Sequence, residues 1–96
     1  MNNLDEQTSE AWKDLMDKAV RAIKFDRLEK AEELLLEAYR ESKATYGPDH
    51  GTVGLVLLRL ADVCEKLGKT RIAEHYRAEI DRILRGYLVD QDESKK

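Results

Sequence analysis

Apolar residues recur along this chain at steps of three and four, and no stretch alternates apolar and polar positions as a half-buried strand does. Four helical segments follow from that pattern. The first spans about residues 5–24, with Trp12, Leu15, Met16, Ala19, Val20, Ala22 and Ile23 mostly on one face. The second spans about 27–45, with a stripe of Leu28, Ala31, Leu34, Leu35, Ala38 and Tyr39. The third spans about 51–67. Its apolar residues, from Val53 to Leu67, cover more than one face, so this helix is expected at the centre, packed on several sides. The fourth spans about 70–88, where a narrow stripe through Ile72, Ala73, Tyr76, Ile80, Ile83, Leu84, Tyr87 and Leu88 opposes a polar face of His75, Glu79, Arg82 and Arg85. One wet side of that kind belongs to an outermost helix.

Three corners separate these segments. At the first, Asp26 is placed to cap the second helix, with Glu29 completing a capping box three residues later. At the second, "YGPDH", Gly47 is expected in the left-handed region that ends a helix, Pro48 blocks continuation, and Asp49 or a neighbour caps the third helix. At the third, Gly68 ends one helix and Thr70 is expected to cap the next.

A repeat underlies the pattern. "LEKAEELLLEAY" at 28–39 aligns with "TRIAEHYRAEID" at 70–81, which pairs Ala31 with Ala73 at a spacing of 42. The same register pairs Leu15 with Leu57, Ala19 with Ala61 and Leu34 with Tyr76. The chain reads as two copies of one helical hairpin, about 11–46 and 52–88, inside a single domain of residues 11–88. Residues 1–10, an acidic segment, are expected to fray, and residues 89–96 are expected as a disordered tail.

"LADVCEKLGKTRIAEHY" resembles the tetratricopeptide repeat, with a small residue in the first helix (Ala61), glycine at the corner (Gly68) and alanine in the second helix (Ala73). "YGPDH" before an apolar helix looks like the 42-residue variant of kinesin light chains. The likeness covers roughly residues 12–84. The first copy departs from it at Asp26, where corner glycine is usual, and at Lys18, where an apolar residue is usual; Gly51 replaces the proline expected after His50. The resemblance implies an all-α fold of two hairpins in a right-handed superhelix, and a concave groove lined by the first helix of each repeat. The groove positions here are Lys13, Met16, Val20, Ile23, Leu55, Leu58, Asp62 and Glu65. The family's clamp for a C-terminal carboxylate uses lysine, arginine and asparagine; Met16 and Val20 stand at such places instead. The implied function is protein interaction: a helix or extended peptide held in an apolar groove. The alternative is self-association through the groove or the terminal helix.

Composition narrows the choice. The net charge is −3, of which residues 1–10 carry −3 and residues 89–96 carry −1, leaving the middle at +1. No basic face stands out on that count, so nucleic-acid binding is not expected. No apolar stretch reaches the length of a membrane span, and "MNNLDEQTSE" has neither the basic region nor the apolar run of a secretory leader. The single cysteine, Cys64, excludes an internal disulfide and fits a cytoplasmic setting. Neither a phosphate loop nor a catalytic signature occurs. His50 and His75 lie in different elements, so a metal site or other cofactor is not expected. A Cys64–His75 nucleophile pair is set against Cys64 as a buried small hydrophobe, and the second reading is preferred. His50 is read as a turn or packing residue. The chain is not expected to be an enzyme.

Overall fold

The computed structural model describes residues 11–95, with side chains to residue 86. Four helices fill this range: α1 (Ala11–Lys24), α2 (Leu28–Tyr46), α3 (Gly51–Lys66) and α4 (Thr70–Lys95). No strand occurs among the described residues. Each helix packs on its sequence neighbours, α1 on α2, α2 on α3 and α3 on α4, giving two helical hairpins joined through α2 and α3. The expected fraying of residues 1–10 lies outside the described residues. At the other end the backbone stays helical to Lys95, where a disordered tail is expected from residue 89. After Gly86 the sequence holds neither proline nor a further glycine to stop it.

The repeat register reappears in the core. Ala19 and Ala61, and likewise Ala31 and Ala73, are fully buried. Alanine at these four positions allows close helix approach within each hairpin. Around them Leu35, Val53, Leu57, Leu60, Val63 and Cys64 form one cluster to which all four helices contribute. A second cluster joins Trp12, Ala38 and Val56 at the other end of the hairpins. There the Trp12 indole N–H donates to the Tyr46 hydroxyl at 3.3 Å, edge-on to its ring.

The corners differ from the expected capping in instructive ways. Asp26 does not cap α2. It takes a left-handed φ of 61°, and Arg27 occupies the cap position without a side-chain bond. The Asp26 N–H bonds the Ile23 carbonyl and the Arg27 N–H bonds the Ala22 carbonyl. This double closure consumes the orphan carbonyls of α1 and turns Asp26 away from the start of α2. Gly47 has the expected positive φ, 94°, but its ψ of 157° puts it in an extended region open to glycine rather than in the left-handed helical one. The cap of α3 is His50, whose Nδ1 accepts from the Thr52 N–H at 3.0 Å while its ring stacks on Tyr46 at 4.6 Å. Asp49 instead pairs with Arg82 of α4. Thr70 is already helical, and the Lys69 carbonyl accepts the first bond of α4, from Ala73.

The centre of the fold also needs a correction. α3 buries seven residues, but it is not enclosed all round. Leu55, Leu58, Arg59, Asp62, Glu65 and Lys66 form one exposed stripe. Two hairpins supply neighbours on only part of its circumference.

Candidate functional site

The sequence-predicted groove lies on α1 and α3, and the structure divides its residues into three groups. Val20, Leu55 and Leu58 are presented to solvent at 39, 49 and 49% exposure. Met16 and Ile23 are half-buried, packed against the core beneath that surface rather than standing on it. Lys13, Asp62 and Glu65 are exposed. The two carboxylates are engaged within the chain: Arg77 of α4 donates to Glu65 at 2.9 and 3.1 Å and to Asp62 at 3.4 Å. The guanidinium's hydrogen bonds and charge hold the Glu65 carboxyl below its ordinary range. What the groove offers is therefore an aliphatic strip ending in a charge cluster with its own counter-ion.

Leu84 departs from the sequence reading, which assigned it to the core stripe of α4. It is 54% exposed. Gly54 faces Ile83 and Asp62 and Glu65 meet Arg77, so the antiparallel register brings Leu84 to the level of Leu55. The helical period alone cannot show this, because Leu84 sits at the margin of the stripe where only the neighbour's width decides burial.

A second feature was missed altogether. Between α1 and α2, with no residue of α3 or α4 in its lining, a cleft of about 600 Å³ is lined by Lys18, Arg21, Arg27 and Lys30 around Ala22, Phe25 and Leu34. No carboxylate lines it. Phe25 is 72% exposed. Lys30 pairs weakly with Glu33 at 3.7 Å, while Lys18, Arg21 and Arg27 have no side-chain partner among the described residues. The near-neutral charge of the middle of the chain hid this basic face, because acids on other faces balance it. The signal was the spacing of 18, 21 and 22 on α1, 25 and 27 in the corner, and 30 and 34 on α2, positions free of acids at helical steps on either side of the corner.

Cys64 is buried, and its thiol lies 3.7 Å from the Glu32 carboxylate. Burial first, and the Glu32 charge second, push the thiol above its ordinary value. His75, its imagined partner, lies on the exposed face of α4 beside Tyr76. Glu32 also accepts two bonds from Lys69, at 2.8 and 2.9 Å, tying the first hairpin to the second. Among the described residues no three metal-ligating side chains converge, and no helix is long and apolar enough to cross a membrane.

Comparison with protein families, curated proteins and solved structures finds no match for this chain. The tetratricopeptide likeness rests on its own residues.

Proposed function

We propose that this chain is a protein-interaction module of tetratricopeptide type that holds a helix or extended peptide against the strip formed by Val20, Leu55 and Leu58. The observation carrying this reading is the exposure of the two leucines on α3, the helix that otherwise buries the most side chains. Two exposed leucines one turn apart on the same helix face mark a candidate contact site. The flanking Asp62–Arg77–Glu65 cluster would set the direction of a bound segment through its polar groups. In this reading the module is an adaptor without catalytic residues or cofactor, and it works in the cytoplasm, where Cys64 stays reduced.

The test is a Leu55→Asp, Leu58→Asp double variant compared with the wild type in affinity capture, with far-ultraviolet dichroism as the control for folding. Proteins retained by the wild type and released by a fully helical variant support the reading. Equal retention by both places the contact elsewhere.

A further inference from the structure

The internal repeat allows each hairpin to serve as a template for what packs on the other. Hairpin 2 receives hairpin 1 through contacts whose geometry is known: Lys69 and Cys64 meet Glu32, and the Tyr76 ring meets Tyr39 edge-on at 6.4 Å. Moving 42 residues back along the chain turns the receiving residues Cys64, Lys69 and Tyr76 into Ala22, Arg27 and Leu34. These are lining residues of the basic cleft. The cleft is thus the face on which a preceding hairpin would sit. Moving 42 residues forward turns the donating residue Glu32 into Glu74. Glu74 is exposed on α4 and has no side-chain partner among the described residues.

The same shift explains the bare Leu84. Its counterpart is Ser42, which is fully buried. The position that the first hairpin covers is open in the second, where a following hairpin would lie, and it carries a leucine.

We propose that copies of this chain associate head to tail, the α4 face of one copy seating Glu74 against Arg27 in the basic cleft of the next, with Leu84 covered at the same junction. The charges are complementary. The cleft carries four cations against one weak internal pairing, while Glu74 at the opposite end has no cation of its own among the described residues. Repeat hairpins bury apolar faces on neighbours, and among the described residues no hairpin covers the basic cleft or Leu84. The flanking carboxylates Asp14, Asp17, Asp26 and Glu29, all exposed, repel an extended polyanion but not a protein face that places single acids opposite the cations. The contact is heterologous, so it does not close as a two-fold dimer; it extends to further copies as an open chain or a ring of more than two. This goes beyond the groove reading and uses neither Leu55 nor Val20.

The experiment is sedimentation velocity on the full chain over a concentration series, at low and at high salt. The expected result is a mass that climbs past that of a dimer as concentration rises and falls back in high salt. Arg27→Glu and Glu74→Arg, each alone, put like charges at the junction and reduce association. Mixing the two variants restores it, because every junction then pairs opposite charges, and the double variant in one chain restores it as well. Leu84→Asp weakens association with helicity unchanged. A wild type that stays monomeric throughout overturns the proposal. So does association that is indifferent to Arg27→Glu and Glu74→Arg, or that is lost in Leu55→Asp, Leu58→Asp alone. Loss in Arg27→Glu without recovery in the mixture also overturns it, since the cleft then takes an anion other than Glu74.

Discussion

Asp26 and Gly68, 42 residues apart, hold the same left-handed turn at the corner of each hairpin, with φ of 61° and 82°. At both corners the turn residue and its successor close the preceding helix. Asp26 and Arg27 bond Ile23 and Ala22 at 2.9 and 2.7 Å; Gly68 and Lys69 bond Glu65 and Cys64 at 3.0 and 2.8 Å. The turn is therefore dictated by the helix ends it satisfies, and glycine is only its most comfortable occupant.

Opposite effects of substitution follow at the two sites. Asp26→Gly relieves a left-handed side-chain cost of roughly 1 kcal/mol, offset in part by the greater freedom of glycine in the unfolded chain, so a gain of a few tenths to about 1 kcal/mol is expected. Gly68→Ala loses about 1 kcal/mol, with no steric clash contributing because a Cβ there meets nothing within 4 Å. Urea unfolding of both variants checks the pair. Shifts of the same sign would show that the corners are not equivalent.

Helix number, helix order and the 42-residue register were legible in the sequence because burial follows a period of 3.6 wherever a helix has one dry side. Ala19, Ala31, Ala61 and Ala73 were placed correctly for that reason. The capping of α2 was not legible. Asp26 has the residue type of a cap, but the competing demand of the α1 carbonyls won, and that demand depends on three-dimensional closure. The enclosure of α3 was overestimated because composition reports how apolar a helix is, not how many neighbours it finds. Among the groove residues, Leu55 and Leu58 proved exposed, whereas Met16 and Ile23 are drawn into the core. The basic cleft escaped because charge was summed along the chain and not over a face.

The second corner is stricter than the other two. Gly47 has φ 94° and ψ 157°, a region that side chains other than hydrogen scarcely enter. Gly47→Ala should cost about 1–3 kcal/mol, more than Gly68→Ala, and should lower the melting temperature accordingly. His50→Ala at the same corner removes both the cap on Thr52 and the stack on Tyr46, and about 1 kcal/mol is expected for the cap alone. Thermal melts of the three variants rank them. An unchanged melting temperature in Gly47→Ala would mean that the corner is built differently.

Alkaline pH should destabilise the junction between the hairpins. Burial raises the values of Cys64 and Tyr76, and the hydrogen bond to Glu32 raises that of Lys69. All three folded-state values lie above their unfolded ones. The stability they contribute is complete below the ordinary thiol range and is lost as pH rises through that range and beyond. Melting temperature against pH should be flat near neutrality and fall on the alkaline side, with a shallower fall in Cys64→Ala. Loss of stability that begins on the acid side of the thiol range would assign the effect to other groups.

Leu57 and Leu58 are adjacent in sequence and opposite in circumstance, 1% and 49% exposed. Leu57 packs in the main cluster with Leu35 and Leu60, so Leu57→Ala leaves a cavity and should cost about 2–5 kcal/mol. For a domain of this size the total stability is about 5–10 kcal/mol, and such a loss takes a large share of it. Leu58→Ala removes a side chain already half in water and should cost less than about 1 kcal/mol. Binding should respond in the reverse order once folding is accounted for: Leu58→Ala weakens capture of a groove partner, while Leu57→Ala affects it only through the fraction unfolded. Denaturant unfolding together with binding measured at a temperature where both variants are folded separates the two roles. Equal stability losses at 57 and 58 would mean that Leu58 is covered by the chain itself, and the groove would then lose one of its two leucine anchors, leaving Leu55 alone on α3.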